Sequence, residues 1–209
     1  LKIDALMSEF VNNAIGATPY IDKNNKIIAF TNINTNFASI NITRSFMASI
    51  TYTHEIKVKV IQTEDELTPL EKTVIEKAKN ATYQSYAPYS KFHVGAAALL
   101  DDGTIVSGSN QENCAYPSGI CAERTTVFYA NSQYPDKSIT MLCIAARNEH
   151  GDFLNRPISP CGACRQVLLE SEKRQNSLMK IILYGTSEIL LIESASQLLP
   201  IQFDQSFLE

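Results

Sequence analysis

CAER at residues 121–124 and PCGAC at residues 160–164 decide how this chain is read. Between them they offer three cysteine sulfurs, from Cys121, Cys161 and Cys164, and one free carboxylate, Glu123. Three thiolates can hold a zinc ion and leave its fourth position open to water, the arrangement of a catalytic rather than a structural site. A carboxylate beside that water, but not bound to the metal, can move protons. Such equipment suits hydrolysis of an amidine-like C–N bond in a nucleobase.

Each part has a plainer reading beside it. Cys161 and Cys164 alone could be a redox C-x-x-C pair or half of a zinc ribbon. A ribbon needs a second C-x-x-C, which the sequence lacks. Cys121 supplies the third ligand and brings an acid two residues later. Three thiolates on zinc carry net negative charge, which weakens the metal as a Lewis acid. Two helices starting at 121 and at 161–164 would aim their positive ends at the sulfurs and offset this. Arg124 is placed to donate hydrogen bonds to a cysteine sulfur from just outside the ligand set. The plainer readings are a surface cation for Arg124 and a first-turn helix acid for Glu123. Cys114 is expected as a small buried or partly buried residue, and Cys143, in an apolar strand, as core. His54, His93 and His150 are expected to be structural or exposed rather than ligands.

Outward from these segments the pattern is α/β. Thr68-x-x-Glu71 with Pro69 is a capping box opening a helix. Leu70, Val74, Ile75 and Ala78 form its apolar face, continued by Ala81 and Tyr86, and Pro88 closes it. Phe92–Leu100 and Thr104–Ser109 are predicted strands joined by the D-D-G turn at 101–103. Cys121 to about Asn131 and Ala163–Glu172 are predicted helices. Thr140–Ala146, Lys180–Tyr184 and Ile189–Ile192 are predicted strands, and Ala195–Leu199 is a last helical turn stopped by Pro200. The order predicts a three-layer α/β/α domain around a five-stranded mixed sheet.

The 209 residues, 44% hydrophobic and 19% charged, are those of an ordinary globular chain. A net charge of −4 lacks the basic footprint of a nucleic-acid binder. Arg165, Lys173 and Arg174 lie among acids and read as solvated helix surface. No stretch reaches the roughly 18 apolar residues of a spanning helix, and no basic-then-apolar secretory signal opens the chain. Five cysteines, an odd number with three in metal-like spacing, point to a reducing, cytoplasmic setting.

Residues 1–60 read as an N-terminal extension and 61–209 as the catalytic domain. Residues 1–46 hold eight asparagines and little apolar periodicity. Two readings stand for them: upstream sequence ahead of a native start at Met47, or a hairpin appendage with K-N-N-K at 23–26 turning between Tyr20–Asp22 and Ile27–Thr31.

At its motifs the chain resembles the cytidine deaminase family, in its homotetrameric, three-cysteine branch. The matching runs are YAPYSKFHVGAAALL at 86–100, GSNQENCAYP at 108–117, CAERT at 121–125, SPCGACRQVL at 159–168 and LLPIQF at 198–203. They agree in order as well as type and cover about 68–208. The resemblance implies one zinc per subunit and hydrolysis of cytidine and 2′-deoxycytidine in pyrimidine salvage, with metal-activated water attacking C4 and Glu123 shuttling protons. It further implies that Phe92 packs on the pyrimidine and that Asn110 and Glu112 grip the ribose 3′-hydroxyl. Ala122 would orient the base through its backbone, and the Pro160 carbonyl would take the exocyclic amine. Tyr116 and Phe203 would reach a neighbouring subunit's site in a homotetramer. Two features depart from the family: the thiol at Cys114, where a small residue is common, and the ample loop 148–157.

Several rivals share the zinc logic: a blasticidin-S-type deaminase, a deoxycytidylate deaminase and a polynucleotide editor. The acidic balance and a gripped 3′-hydroxyl disfavour editing, and no Arg or Lys cluster awaits a phosphate. The rival of another class is a non-catalytic zinc-stabilised binding module, which would need a fourth protein ligand.

Overall fold

The computed structural model describes residues 18–21, 27–31 and 53–208. The chain divides into two compact units, Leu1–Tyr52 and Thr53–Glu209. In the first, β1 (Thr18–Ile21) and β2 (Ile27–Thr31) pair antiparallel, with Thr18 opposite Thr31. The turn expected at 23–26 and the start expected at Met47 lie outside the described residues.

The second unit holds a mixed sheet of six strands in the order β3-β8-β7-β6-β4-β5. These are β3 (Lys59–Ile61), β4 (His93–Leu100), β5 (Ile105–Ser109), β6 (Ile139–Arg147), β7 (Lys180–Tyr184) and β8 (Ile189–Ile192). All neighbours are antiparallel except β6 and β7, which run parallel across a helical connection. The expected count of five strands is therefore corrected to six. The added strand is β3, at the edge beside β8. Its three residues bury only Ile61, too short a run for alternation to be read.

Among the described residues three α-helices cover the sheet: α1 (Pro69–Ala81), α2 (Ala122–Gln133) and α3 (Gly162–Gln175). Alternation along β4 sets the layers. Val94, Ala96, Ala98 and Leu100 join a core with Ala122, Val127, Ala130 and Leu168 from α2 and α3. Ala97 and Leu99 face the other way, into a core with Val74, Ile75 and Ala78 of α1. Small residues in β4 let the helices come close. A Cβ on Gly95 would stand 2.2 Å from the Ala78 carbonyl oxygen, so α1 lies directly on the strand there. On the opposite face, Thr126 Oγ1 of α2 donates to Ala96 O at 3.3 Å. This contact seats the first turns of α2 over β4.

The capping box forms at α1: Glu71 N donates to Thr68 Oγ1 at 3.2 Å, and Thr68 N to Glu71 Oε2 at 2.8 Å. Glu71 also receives Lys180 Nζ at 3.1 Å, tying the helix start to β7. The apolar face is shorter than expected at both ends, since Leu70 is exposed and Tyr86 lies beyond the helix. The helix tightens into a 3₁₀ turn at Thr82–Gln84, where Arg147 of β6 donates to Thr82 Oγ1 and Thr82 O. The D-D-G turn closes as expected, with Gly103 at φ +87° and Thr104 N on Asp102 Oδ1 at 2.9 Å.

Candidate active site

α2 and α3 begin side by side, and each begins at a cysteine. Cys121 is the N-cap of α2 and Cys161 the N-cap of α3. Cys164 follows in the first turn of α3 and is buried. The three sulfurs lie within 4.8 Å of one another. Cys121 Sγ and Cys161 Sγ are 3.8 Å apart. That is close to the spacing tetrahedral zinc imposes on two thiolates bound at about 2.3 Å. The donor set therefore fits zinc, with Cys121, Cys161 and Cys164 as the residues that would hold it.

The surroundings favour the thiolate of Cys121. The Cys121 thiol is lowered to about 5, first by its hydrogen bond with Cys164, then by Arg124 and Cys161, against the upward push of burial. Cys164, on the other side of that hydrogen bond, is raised. Arg124 Nη2 donates to Cys121 Sγ at 3.8 Å. Its Nε is buried without a hydrogen-bond partner among the described residues, an orphan donor on the guanidinium beside the sulfurs. Arg124→Gln is expected to keep the fold and lower turnover about 10–100-fold, the usual effect of removing a group that tunes metal ligands. Steady-state kinetics with zinc analysis checks this, and wild-type values for both would refute it.

Glu123 lies in the first turn of α2 and is only 4% exposed. Burial raises its carboxyl above the ordinary carboxylate value, as does the neighbouring Cys121. An acid so buried is not a solvated first-turn residue. Ala122 beside it is fully buried in the core.

Residues 86–92 and 110–112, which carry the other expected substrate contacts, are held to one another. Tyr86 N donates to Asn110 O and Glu112 N to Tyr86 O, which zips the two segments together. Asn110 Oδ1 accepts from Val94 N at 2.8 Å, and its Nδ2 donates to Phe92 O at 2.9 Å. Glu112 accepts from Tyr89 N at 2.9 Å, Ser90 N at 3.3 Å and the Ser90 hydroxyl. The Ser90 hydroxyl is the largest influence holding its carboxyl below the ordinary value. Both residues thus brace the turn that carries Phe92, whose half-buried ring packs against the α2–α3 core.

Tyr116 is 77% exposed and meets Tyr89 edge-on at 6.2 Å. Phe203, also exposed, stacks on Phe207 at 5.7 Å, far along the chain from the cysteines. Two expectations are corrected. Cys114 is exposed, because the loop around it turns outward instead of entering the core. Arg165 is half-buried and spends its guanidinium on main-chain and hydroxyl acceptors instead of solvent. Cys143 is fully buried, and His93 is held by Ser85 Oγ at 2.6 Å from its Nδ1.

Residues 69–179 match the family model described as the cytidine and deoxycytidylate deaminase zinc-binding region. The chain belongs to the cytidine and deoxycytidylate deaminase family. Among relatives of this deaminase domain, a cytidine deaminase of Sporosarcina psychrophila is 50% identical over 97 residues. That match covers 46% of this chain and 66%, just under two-thirds, of the relative. The cytidine deaminase structure from Burkholderia pseudomallei superposes with a TM-score of 0.54 at 35% identity, covering 63% of this chain and 98% of that one. The structure from Mycobacterium tuberculosis gives 0.51 at 34% identity, covering 64% and 97%. The deaminase fold and the three-cysteine group thus occur together in this chain.

Proposed function

We propose that the chain is a zinc-dependent hydrolase that deaminates cytidine and 2′-deoxycytidine to uridine and 2′-deoxyuridine, releasing ammonia. The observation that carries this reading is a buried carboxyl, Glu123, beside three clustered thiols for which the described residues offer no fourth cysteine, histidine or acid ligand. A closed structural site would have one. When bound, the metal supplies acidification of a water molecule for attack at C4. Glu123 takes one proton from the attacking water and gives it to the ring nitrogen, then takes the remaining proton from the new C4 hydroxyl and passes it to the amino group, which leaves as ammonia while the C4 carbonyl forms. Burial raises its carboxyl above the ordinary carboxylate value, which helps it keep the proton between the two transfers. Phe92 packs on the pyrimidine, Asn110 and Glu112 grip the 3′-hydroxyl with acceptor capacity their internal hydrogen bonds leave over, and Ala122 and Pro160 orient the base and its amine.

The active form is a homotetramer in which Tyr116 and Phe203 complete a neighbouring copy's site. Supporting this, the C-terminal segment presents Ile201, Phe203, Phe207 and Leu208 to solvent, an apolar set that suits burial against another subunit. A cytoplasmic, reducing setting in pyrimidine salvage suits three thiols this close together, which an oxidant would join. Among the described residues no helix is long and apolar enough to cross a membrane. Residues 1–52 serve as an extension to the catalytic part, while Lys59 and Val60, expected in the extension, pair with β8 in the catalytic unit.

Loss of ultraviolet absorbance with cytidine, deoxycytidine, cytosine and blasticidin S tests the proposal. Turnover of the two nucleosides is expected. A zinc-loaded preparation inert on all four would overturn it, and turnover of blasticidin S alone would replace it with that rival.

A further inference from the structure

The turn Ser159–Pro160 delivers Cys161 to the cluster, yet among the described residues no backbone–backbone hydrogen bond holds either residue. Its hydrogen bonds among the described residues come from one side chain. Arg165 Nε donates to Pro160 O at 2.9 Å, Nη2 to Ser159 Oγ at 2.7 Å, and Nη1 to Leu198 O at 3.2 Å. The guanidinium makes no ion pair among the described residues. All three of its partners are neutral, which is unusual use of a residue that ordinarily seeks carboxylate or solvent. The rigid fork satisfies three acceptors that diverge in sequence, a task a lysine ammonium does poorly. The next residue acts in parallel, with Gln166 Nε2 donating to Phe203 O at 2.9 Å. Consecutive residues of α3 therefore hold both ends of the segment 198–203, and Arg165 also holds the metal loop.

We infer that Arg165 is a positioning residue: it fixes the direction of the Pro160 carbonyl that receives the pyrimidine's amino group, and ties that carbonyl to the C-terminal segment. The carbonyl has two lone pairs. Arg165 takes one, leaving the other aimed by the fork in a turn that no backbone–backbone hydrogen bond holds among the described residues. This rests on the deaminase reading. The amino group matters most as it departs, so the loss of aim lowers kcat more than it raises KM.

The test compares wild type with Arg165→Lys, which keeps the charge but not the fork, and with Arg165→Gln. Expected for Arg165→Lys are a kcat on cytidine at least tenfold lower, a KM within threefold, and wild-type zinc content. Inhibition by pyrimidin-2-one riboside, which has no amino group, is expected to stay within threefold of wild type. Cobalt-substituted protein is expected to keep its thiolate charge-transfer bands. A wild-type kcat for Arg165→Lys overturns the inference. So does an equal loss of inhibitor binding, zinc and kcat, which marks general damage to the loop. If Arg165→Gln does not fold, Arg165→Lys decides alone. If it does not fold either, Arg165 is structural and the inference fails. A wild-type protein inert on cytidine sinks the deaminase reading itself.

Discussion

Glu123→Gln is expected to cut turnover of cytidine by at least about 10³-fold while the protein keeps its zinc and its fold, a loss of roughly 4 kcal/mol of transition-state stabilisation. The size follows from the number of proton transfers assigned to one group. Glutamine has nearly the same shape, so the packing around a residue only 4% exposed is preserved. It can neither take a proton from water nor return one to the ring or the leaving amine. The candidate metal ligands all remain, because Glu123 is not among the three residues that cluster. Metal analysis beside steady-state kinetics separates the chemistry from the site's assembly. Activity within tenfold of wild type would remove Glu123 from the mechanism.

The second large effect concerns folding. Glu172→Ala is expected to destabilise the protein by about 3–5 kcal/mol, lowering the melting midpoint by roughly 10 °C. Glu172 sits near the end of α3, 6% exposed. One carboxylate oxygen accepts from Met179 N at 2.9 Å and Ala195 N at 2.8 Å. The other accepts from Ser194 Oγ at 2.7 Å and Ser196 N at 3.2 Å. Alanine would orphan buried main-chain donors at the entrance to β7 and in the turn after β8, and each unpaired group costs about 1–3 kcal/mol. Chemical denaturation measures the change, and a difference under about 1 kcal/mol would show that water replaces the carboxylate. Glu172→Gln is expected to fall between, since its amide keeps one acceptor and turns a donor toward donors.

How far the chain could be read in advance depended on whether a feature was local. Thr68, Pro69 and Glu71 announce a helix start within four residues, and the box forms. The D-D-G turn and the cysteine segments are equally self-contained. Where tertiary partners decide, sequence is silent. Thr82 ends α1 because Arg147, 65 positions away, binds its hydroxyl and carbonyl. Lys59–Ile61 becomes a strand because β8 offers a free edge, not because three residues with one buried side chain carry a pattern. Charged neighbours in sequence suggest solvent for Arg165, whereas its partners come from the preceding turn and from Leu198. One local hint was available: Arg165 lies one helical turn after Cys161, the spacing at which a long side chain can reach back over a helix start. For Glu112, the resemblance suggested a sugar ligand, but only the folded chain reveals that the same carboxylate braces the Tyr89–Ser90 turn.

The two helix starts carry a thermodynamic consequence. Serine, threonine or aspartate at an N-cap usually contributes about 1 kcal/mol through a side-chain hydrogen bond. Cys121 and Cys161 occupy the caps of α2 and α3 and make no such bond. Each helix forgoes its ordinary cap, and a metal clasp joins the two ends instead. Folding and zinc occupancy then become linked equilibria. Once free zinc exceeds its dissociation constant, every further tenfold rise adds ~1.4 kcal/mol to the stability of the folded chain. A melting curve of this protein is accordingly also a zinc titration, and chelation softens the α2–α3 layer of the domain as well as silencing its chemistry.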